Sequence, residues 1–268
     1  MSAIQLIEQM KKPLRTLRDI GCEARASQLA WRFCVGEDYQ RIYHYHIRKT
    51  AGTSLNSAFW NLAGLDLKSI GRKLYIFKNG YVFVHNSKKA IENGSYFFAN
   101  SHNPSHALDL PDKTFTITVL RSPVKRVLSF YRYMYFIQND PTAQFNDPLW
   151  KEASHEAKRL LVGSSFHDFL DRLPRHDLTP QLYMFSSQYD VSEAIDKAIS
   201  CSAVLFTENF NEDVINLGKR LKLPLKPSQE RRFVPKVDLS LSSSEEERLQ
   251  EMLEDEVAFY KKVRSVTS

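Results

Sequence analysis

The sequence is poor in cysteine, contains no long apolar run and carries no heavy excess of one charge, and each shortage narrows what the chain can be. Cys22, Cys34 and Cys201 are odd in number and far apart, which fits reduced thiols better than a disulfide framework or a zinc site. Cys34 and Cys201 stand among apolar neighbours, so burial is the expected reason for both. No stretch approaches the roughly 18 uninterrupted apolar residues that a membrane span needs. Near the amino terminus Glu8 interrupts the longest apolar candidate, so no secretory signal is legible. The expectation is a cytoplasmic protein without a membrane span.

The excess of 37 basic over 31 acidic side chains gives a formal charge of +6, which favours anionic partners without selecting one. A nucleic-acid binder would show a broad basic stripe or a known reading module, and neither is present. The eight histidines form no zinc pattern, so no metal is expected. With no internal repeat, low-complexity tract or long linker, 268 residues read as one domain, 1–268. Residues 3 to 34 carry apolar positions at helical spacing, broken at Gly21, and predict an amino-terminal helical segment over about 1–36 that packs on the body of the protein.

After that segment, strand and helix patterns alternate. Tyr39 to Ile47 reads as a strand, Lys49 to Ser54 as a tight loop and Leu55 to Leu62 as a helix. Leu74 to Val84 predicts a hairpin turning at Asn79-Gly80. Ser95 to Ala99, Thr114 to Leu120 and Ala203 to Phe206 read as further strands, with Pro123 in the first turn of a helix. Helices are expected over Pro148 to Val162, Ser165 to Leu173, Val191 to Ser200 and Glu212 to Leu221. A capping box at Ser244 is expected to open a last helix to about Val263. Such interleaving predicts an α/β fold with a central, mainly parallel sheet flanked by helices.

Ligands of parallel sheets bind where strand ends lead into helix starts, because a helix start exposes unpaired amides and the positive end of its dipole. The first such place is His46-Ile47-Arg48-Lys49-Thr50-Ala51-Gly52-Thr53-Ser54. Gly52 would let an anion approach the backbone, Thr50, Thr53 and Ser54 offer hydroxyls, and Lys49 adds charge. This is not the common nucleotide triphosphate loop, whose lysine follows its glycines. The plainer reading is that Thr53 or Ser54 caps a helix and Lys49 is a surface charge. The second place is Arg121 to Tyr131, where Arg121 ends a strand and could hold a phosphate in a fork, with Ser129 donating a hydroxyl. The plainer reading there makes Ser129 an ordinary polar residue and leaves Lys125 or Arg126 solvated. Two cradles in one fold suit a ligand with phosphates at both ends.

These two segments resemble those of sulfotransferases that use 3'-phosphoadenosine-5'-phosphosulfate (PAPS), especially the carbohydrate branch. The resemblance implies a P-loop-like sulfotransferase fold, PAPS as donor, adenosine 3',5'-bisphosphate as product, and the hydroxyl of a glycan or other small molecule as acceptor. It implies that Arg48, Lys49, Thr50, Ala51, Gly52, Thr53 and Ser54 hold the 5' end, with Lys49 steadying the leaving oxygen, and that Arg121 and Ser129 hold the 3'-phosphate. Arg231, Arg232 and Lys236 fall where relatives close a loop over the nucleotide. Arg48 stands where the first loop commonly has proline, and Ser122 where the second commonly has an acidic residue or an amide.

The family's proposed base is matched by His102 in Phe98-Ala99-Asn100-Ser101-His102, although Ser101 replaces the usual glycine and His106 is a rival. A histidine suits the role because its pKa lies near neutrality. Glu208, Glu37 and Asp38 are carboxylate alternatives. His44 and His46 share one side of a strand, His46 within the loop and His44 in a structural role. The acceptor is expected between Gly71 to His106 and Tyr131 to Pro148. Two other functions compete: a small-molecule kinase, which should add acidic magnesium ligands, and a noncatalytic anion-binding module. A homodimer is left open.

Overall fold

The computed structural model describes residues 19–30, 32–36, 38–66, 70, 74–139, 161–228 and 241–267. Six strands form one sheet: β1 (Arg41–Tyr45), β2 (Tyr75–Lys78), β3 (Tyr81–His85), β4 (Phe98–Ser101), β5 (Thr114–Leu120) and β6 (Ala203–Phe206). Their order is β2-β3-β4-β1-β5-β6, and every neighbouring pair is parallel except the β2–β3 hairpin. The fold is therefore α/β with a mixed, mainly parallel central sheet flanked by helices. Asn79 and Gly80 both take positive φ, 50° and 81°, the conformation that an Asn-Gly turn between two strands requires.

The helices in chain order are α1 (residues 19–30), α2 (Gly52–Trp60), α3 (Lys88–Asn93), α4 (Pro123–Asn139), α5 (Phe166–Arg172), α6 (Arg175–Leu178), α7 (Pro180–Phe185), α8 (Val191–Ile199), α9 (Phe210–Leu221), α10 (Ser243–Met252) and α11 (Glu254–Thr267). Among the described residues no helix is long and apolar enough to cross a membrane.

β1 lies at the centre, with Ile42 opposite Phe98 of β4 and Phe115 of β5. A strand flanked on both sides must be apolar on both faces. Ile42 accordingly enters a core with Leu55, Phe59 and Leu217, which seats α2 and α9 on one face of the sheet. Tyr43 and Tyr45 enter the opposite core with Leu182, Phe185, Ala194 and Phe259, which seats α7, α8 and α11. A third core joins α4, α5 and α10 through Val127, Phe130, Phe169 and Leu249.

Several expectations shift. The helix over 19–30 runs through Gly21 instead of breaking there. Residues 19–30 pack on the body: Ala26 is buried, Arg25 lies 4.7 Å from the Phe77 ring, and Lys89 pairs with Glu23 at 3.2 Å, whereas residues 1–18 of the expected segment lie outside the described residues. The fourth strand begins at Phe98, three residues later than its aromatic run suggested. The last helical region is two helices with Leu253 between them. Its capping box is Ser242 with Glu245, because three adjacent serines offer the same signal in different registers. The short helices α6 and α7 were not anticipated. Most of Pro148 to Val162 lies outside the described residues. Cys34 is exposed, contrary to its expected burial, whereas burial raises the Cys201 thiol to about 12.

Candidate active site

β1 ends at Tyr45, and the chain turns into α2 through a loop containing two left-handed residues that are not glycine, Lys49 at φ 69° and Ala51 at φ 64°. Such residues cost about 1 kcal/mol or more each, so the surrounding fold must enforce them. Alternation of left- and right-handed residues turns successive amides toward one point, a concavity suited to an anion. Ala51 is the residue that opens α2, and no side chain caps that helix. Neither Thr53 nor Ser54 is the cap of this helix. The Thr50 hydroxyl turns inward and donates to the Ile47 carbonyl at 3.0 Å, tying the loop to itself.

Gly52 has a reason that the sequence did not disclose. A Cβ there would stand 2.1 Å from Cδ2 and 2.5 Å from Nε2 of His46, and 3.0 Å from Cε1 of His44. Two imidazoles therefore occupy the space that glycine clears.

The second cradle meets the first. β5 pairs with β1 along its length and ends at Leu120, so Arg121 emerges beside the Lys49 loop. Its guanidinium donates from Nη1 to the Lys49 carbonyl at 3.1 Å. Burial lowers the pKa of Arg121 below its ordinary value, Glu208 opposes that shift, and Arg132 adds to it. The Lys49 ammonium lies 4.4 Å from the centre of the Tyr133 ring, on α4. Lys49, Arg121 and the opening of α2 thus form one basic locus at the carboxyl ends of neighbouring parallel strands.

On the other flank of β1 lies a group of histidines. His44 donates from Nδ1 to Asn56 Oδ1 at 2.7 Å, and Asn56 Nδ2 donates to His46 Nδ1 at 3.3 Å. The His46 ring stands 5.1 Å from that of His44 and 4.4 Å from that of His102. Burial holds His44 down at about 4, and it holds His46 well below 6.5 with help from His102, His44 and His85. Both rings are accordingly neutral at pH 7. His85 donates from Nδ1 to Asn100 Oδ1 at 2.9 Å.

His102 follows β4 and is exposed. It donates from Nδ1 to the His46 carbonyl at 2.5 Å, which places the lone pair of the neutral ring on Nε2. His106 is set against Tyr183, ring centres 5.2 Å apart, and takes no part in the histidine stack.

Arg48 is half-exposed and reaches Asp177 at 3.5 Å. Ser129 is partly buried within α4. Arg126 is neither solvated nor at the loops: it is 1% exposed and donates to the carbonyls of Asp177 and Leu178, at the end of α6. Glu208 accepts from the Ser122 amide at 3.1 Å and from the Tyr260 hydroxyl at 3.1 Å, which makes it a brace for the second loop. Asp38 precedes β1, at the opposite end of the strand from the loops. Glu37, Arg231, Arg232 and Lys236 lie outside the described residues, as do residues 71–73 and the part beyond Asn139 of the expected acceptor region. Among the described residues no group of His, Cys, Asp and Glu could hold a metal ion.

Sequence reasoning missed Asn56 and Gln181, and placed Tyr133 only within the expected acceptor stretch, without its contact to Lys49. The signal for Asn56 was present: an asparagine inside the apolar run from Leu55 to Trp60 must find partners when buried.

Comparison with curated proteins gives no match. A family model described as Sulfotransferase family matches residues 31–264, a span that contains both basic loops, the histidine group and all six strands, and the chain therefore belongs to the sulfotransferase family.

Proposed function

We propose that this chain transfers a sulfonate group from PAPS to an acceptor hydroxyl, with Lys49 and His102 as its catalytic residues. The observation that carries the reading is the reach of Arg121, at the end of β5, to the Lys49 carbonyl at the end of β1. It joins two cationic loops into one basic locus, and a nucleotide with phosphates at both ends suits such a pairing.

The residues suit such a donor. The uncapped start of α2, opened by left-handed Ala51, presents backbone amides toward an anion. Lys49, Ala51, Gly52, Thr53 and Ser54 would hold the 5' end, with Thr50 keeping the loop in shape and Arg48 at its entrance. Arg121 and Ser129 would hold the 3'-phosphate, and Arg232 and Lys236 would close over the nucleotide. When bound, the donor supplies the activated sulfonate, and adenosine 3',5'-bisphosphate is the product.

The chain's own part is positioning, charge and one proton. Lys49 places a cation where negative charge grows on the departing phosphate, and fixed charge of this kind needs no reorganisation during the reaction. Its contact with Tyr133 orients the ammonium. His102 takes the acceptor proton at Nε2, because its Nδ1 is committed to the His46 carbonyl. Glu208 is set aside as a base because its two oxygens brace Ser122 and Tyr260. The acceptor is a glycan or another small hydroxylated molecule.

The test is transfer from radiolabelled PAPS to a panel of glycans and small hydroxylated compounds. Label should pass to an acceptor with the wild-type protein and not with H102A or K49A, while H102A still binds adenosine 3',5'-bisphosphate. Undiminished transfer by H102A would remove the base assignment, and retention of all label in PAPS across the panel would overturn the reading.

A further inference from the structure

Arg121 stands at a place where the sheet stops supporting it. The last paired residue of β5 is Leu120, opposite Phe206 of β6, and β1 has already left the ladder at Tyr45, opposite Thr118. The amide and carbonyl of Arg121 therefore need partners that are not strands. Both are supplied by one side chain. Gln181 accepts from the Arg121 amide at Oε1, 2.8 Å away, and donates from Nε2 to the Arg121 carbonyl at 3.0 Å. The carboxamide takes the place that a neighbouring strand would otherwise fill.

Gln181 is itself held. It is fully buried at the start of α7, directly after Pro180, where a helix leaves its first amides without partners. Its own amide donates to Oε1 of the fully buried Glu256 at 2.7 Å. The support thus runs from α11 through Glu256 and Gln181 to the backbone of Arg121, and through the guanidinium to the Lys49 loop.

We propose that Gln181 is a positioning residue of the donor site: by fixing both backbone groups of Arg121, it aims the guanidinium and so sets the preference for a nucleotide carrying a 3'-phosphate. This rests on the assignment of Arg121 to the 3'-phosphate made above. A residue anchored at both amide and carbonyl has a fixed direction of departure for its side chain, and charged recognition depends on that direction.

The probes are adenosine 3',5'-bisphosphate and adenosine 5'-monophosphate, titrated calorimetrically, because the ratio of their affinities isolates the 3'-phosphate. Q181M keeps the volume and removes both hydrogen bonds. It should lower the affinity for the bisphosphate about tenfold and change that for the monophosphate by less than about twofold, the scale of one or two hydrogen bonds. R121A should abolish the preference, and Q181M should have no further effect on the ratio in the R121A background. Thermal melting identifies a poorly folded variant, in which case Q181N, one methylene too short to make both bonds, reads the same ratio. An unchanged ratio in Q181M with an altered one in R121A would overturn the clamp alone, as would an equal loss for both nucleotides. An unchanged ratio in R121A would overturn the assignment on which it rests.

Discussion

Replacing Gly52 with alanine sets local preference against the histidine stack. Alanine is favoured over glycine in a helix by up to about 1 kcal/mol, so propensity alone expects a more stable protein. The added methyl, however, would lie 2.1 Å from Cδ2 and 2.5 Å from Nε2 of His46, and 3.0 Å from Cε1 of His44. Neither ring can step aside freely: both are buried, they stack 5.1 Å apart, and Asn56 bonds to each. Forcing a methyl into a packed site costs about 1–3 kcal/mol, and losing the Asn56–His46 bond adds about 1 kcal/mol. We expect G52A to be destabilised by about 1–3 kcal/mol net, read from urea unfolding and from a lower Tm. The decisive comparison is a double-mutant cycle with H46A, in whose background the cost should largely vanish. A G52A protein as stable as wild type, or a cost unchanged by H46A, would refute the reasoning.

Other perturbations follow from buried charge and thiol exposure. The His44 pKa falls from 6.5 to about 4 on folding, and His46 also falls well below 6.5, so at acid pH the unfolded chain binds protons that the folded chain refuses. Their contribution is complete above about pH 7 and is lost as pH falls from 6.5 toward 4. For His44 alone the loss is about 3 kcal/mol, and unfolding curves that stay flat across this window would contradict it. R126M should cost about 1–3 kcal/mol, because it strips the Asp177 and Leu178 carbonyls of their donor and removes a cation that opposes the burial-raised pKa of Glu256. E256Q should recover part of that loss, and an undiminished cost in the double variant would count against the coupling. Iodoacetamide should alkylate exposed Cys34 in the native protein and reach Cys201, whose thiol burial pushes up to about 12, only after unfolding. Equal native labelling of the two by mass spectrometry would contradict this.

Much of the framework was legible because it follows from local chemistry. The apolar strand before Lys49, the Asn79-Gly80 turn and Pro123 at a helix start each state their structure within a few residues. The two loops were legible as basic strand ends for the same reason. What brings them together was not, because the meeting depends on β1 and β5 being neighbours and on Gln181, 60 residues from Arg121 in the chain, filling the end of the ladder. Gly52 was read as clearance for a ligand, and the structure gives it a second duty toward His46 and His44. Arg126 looked like a surface charge because three basic residues lie within six positions, yet the helix turns it into the core against α6. Cys34 misled in the other direction, since apolar neighbours in sequence do not bury a residue outside the sheet.

The most direct test of the central claim is a crystal structure with adenosine 3',5'-bisphosphate. The result expected is the 5'-phosphate on the loop from Lys49 to Ser54, the 3'-phosphate on Arg121 and Ser129, and His102 Nε2 facing the open acceptor side. A nucleotide bound away from these loops, or a 3'-phosphate turned into solvent away from Arg121, would contradict it.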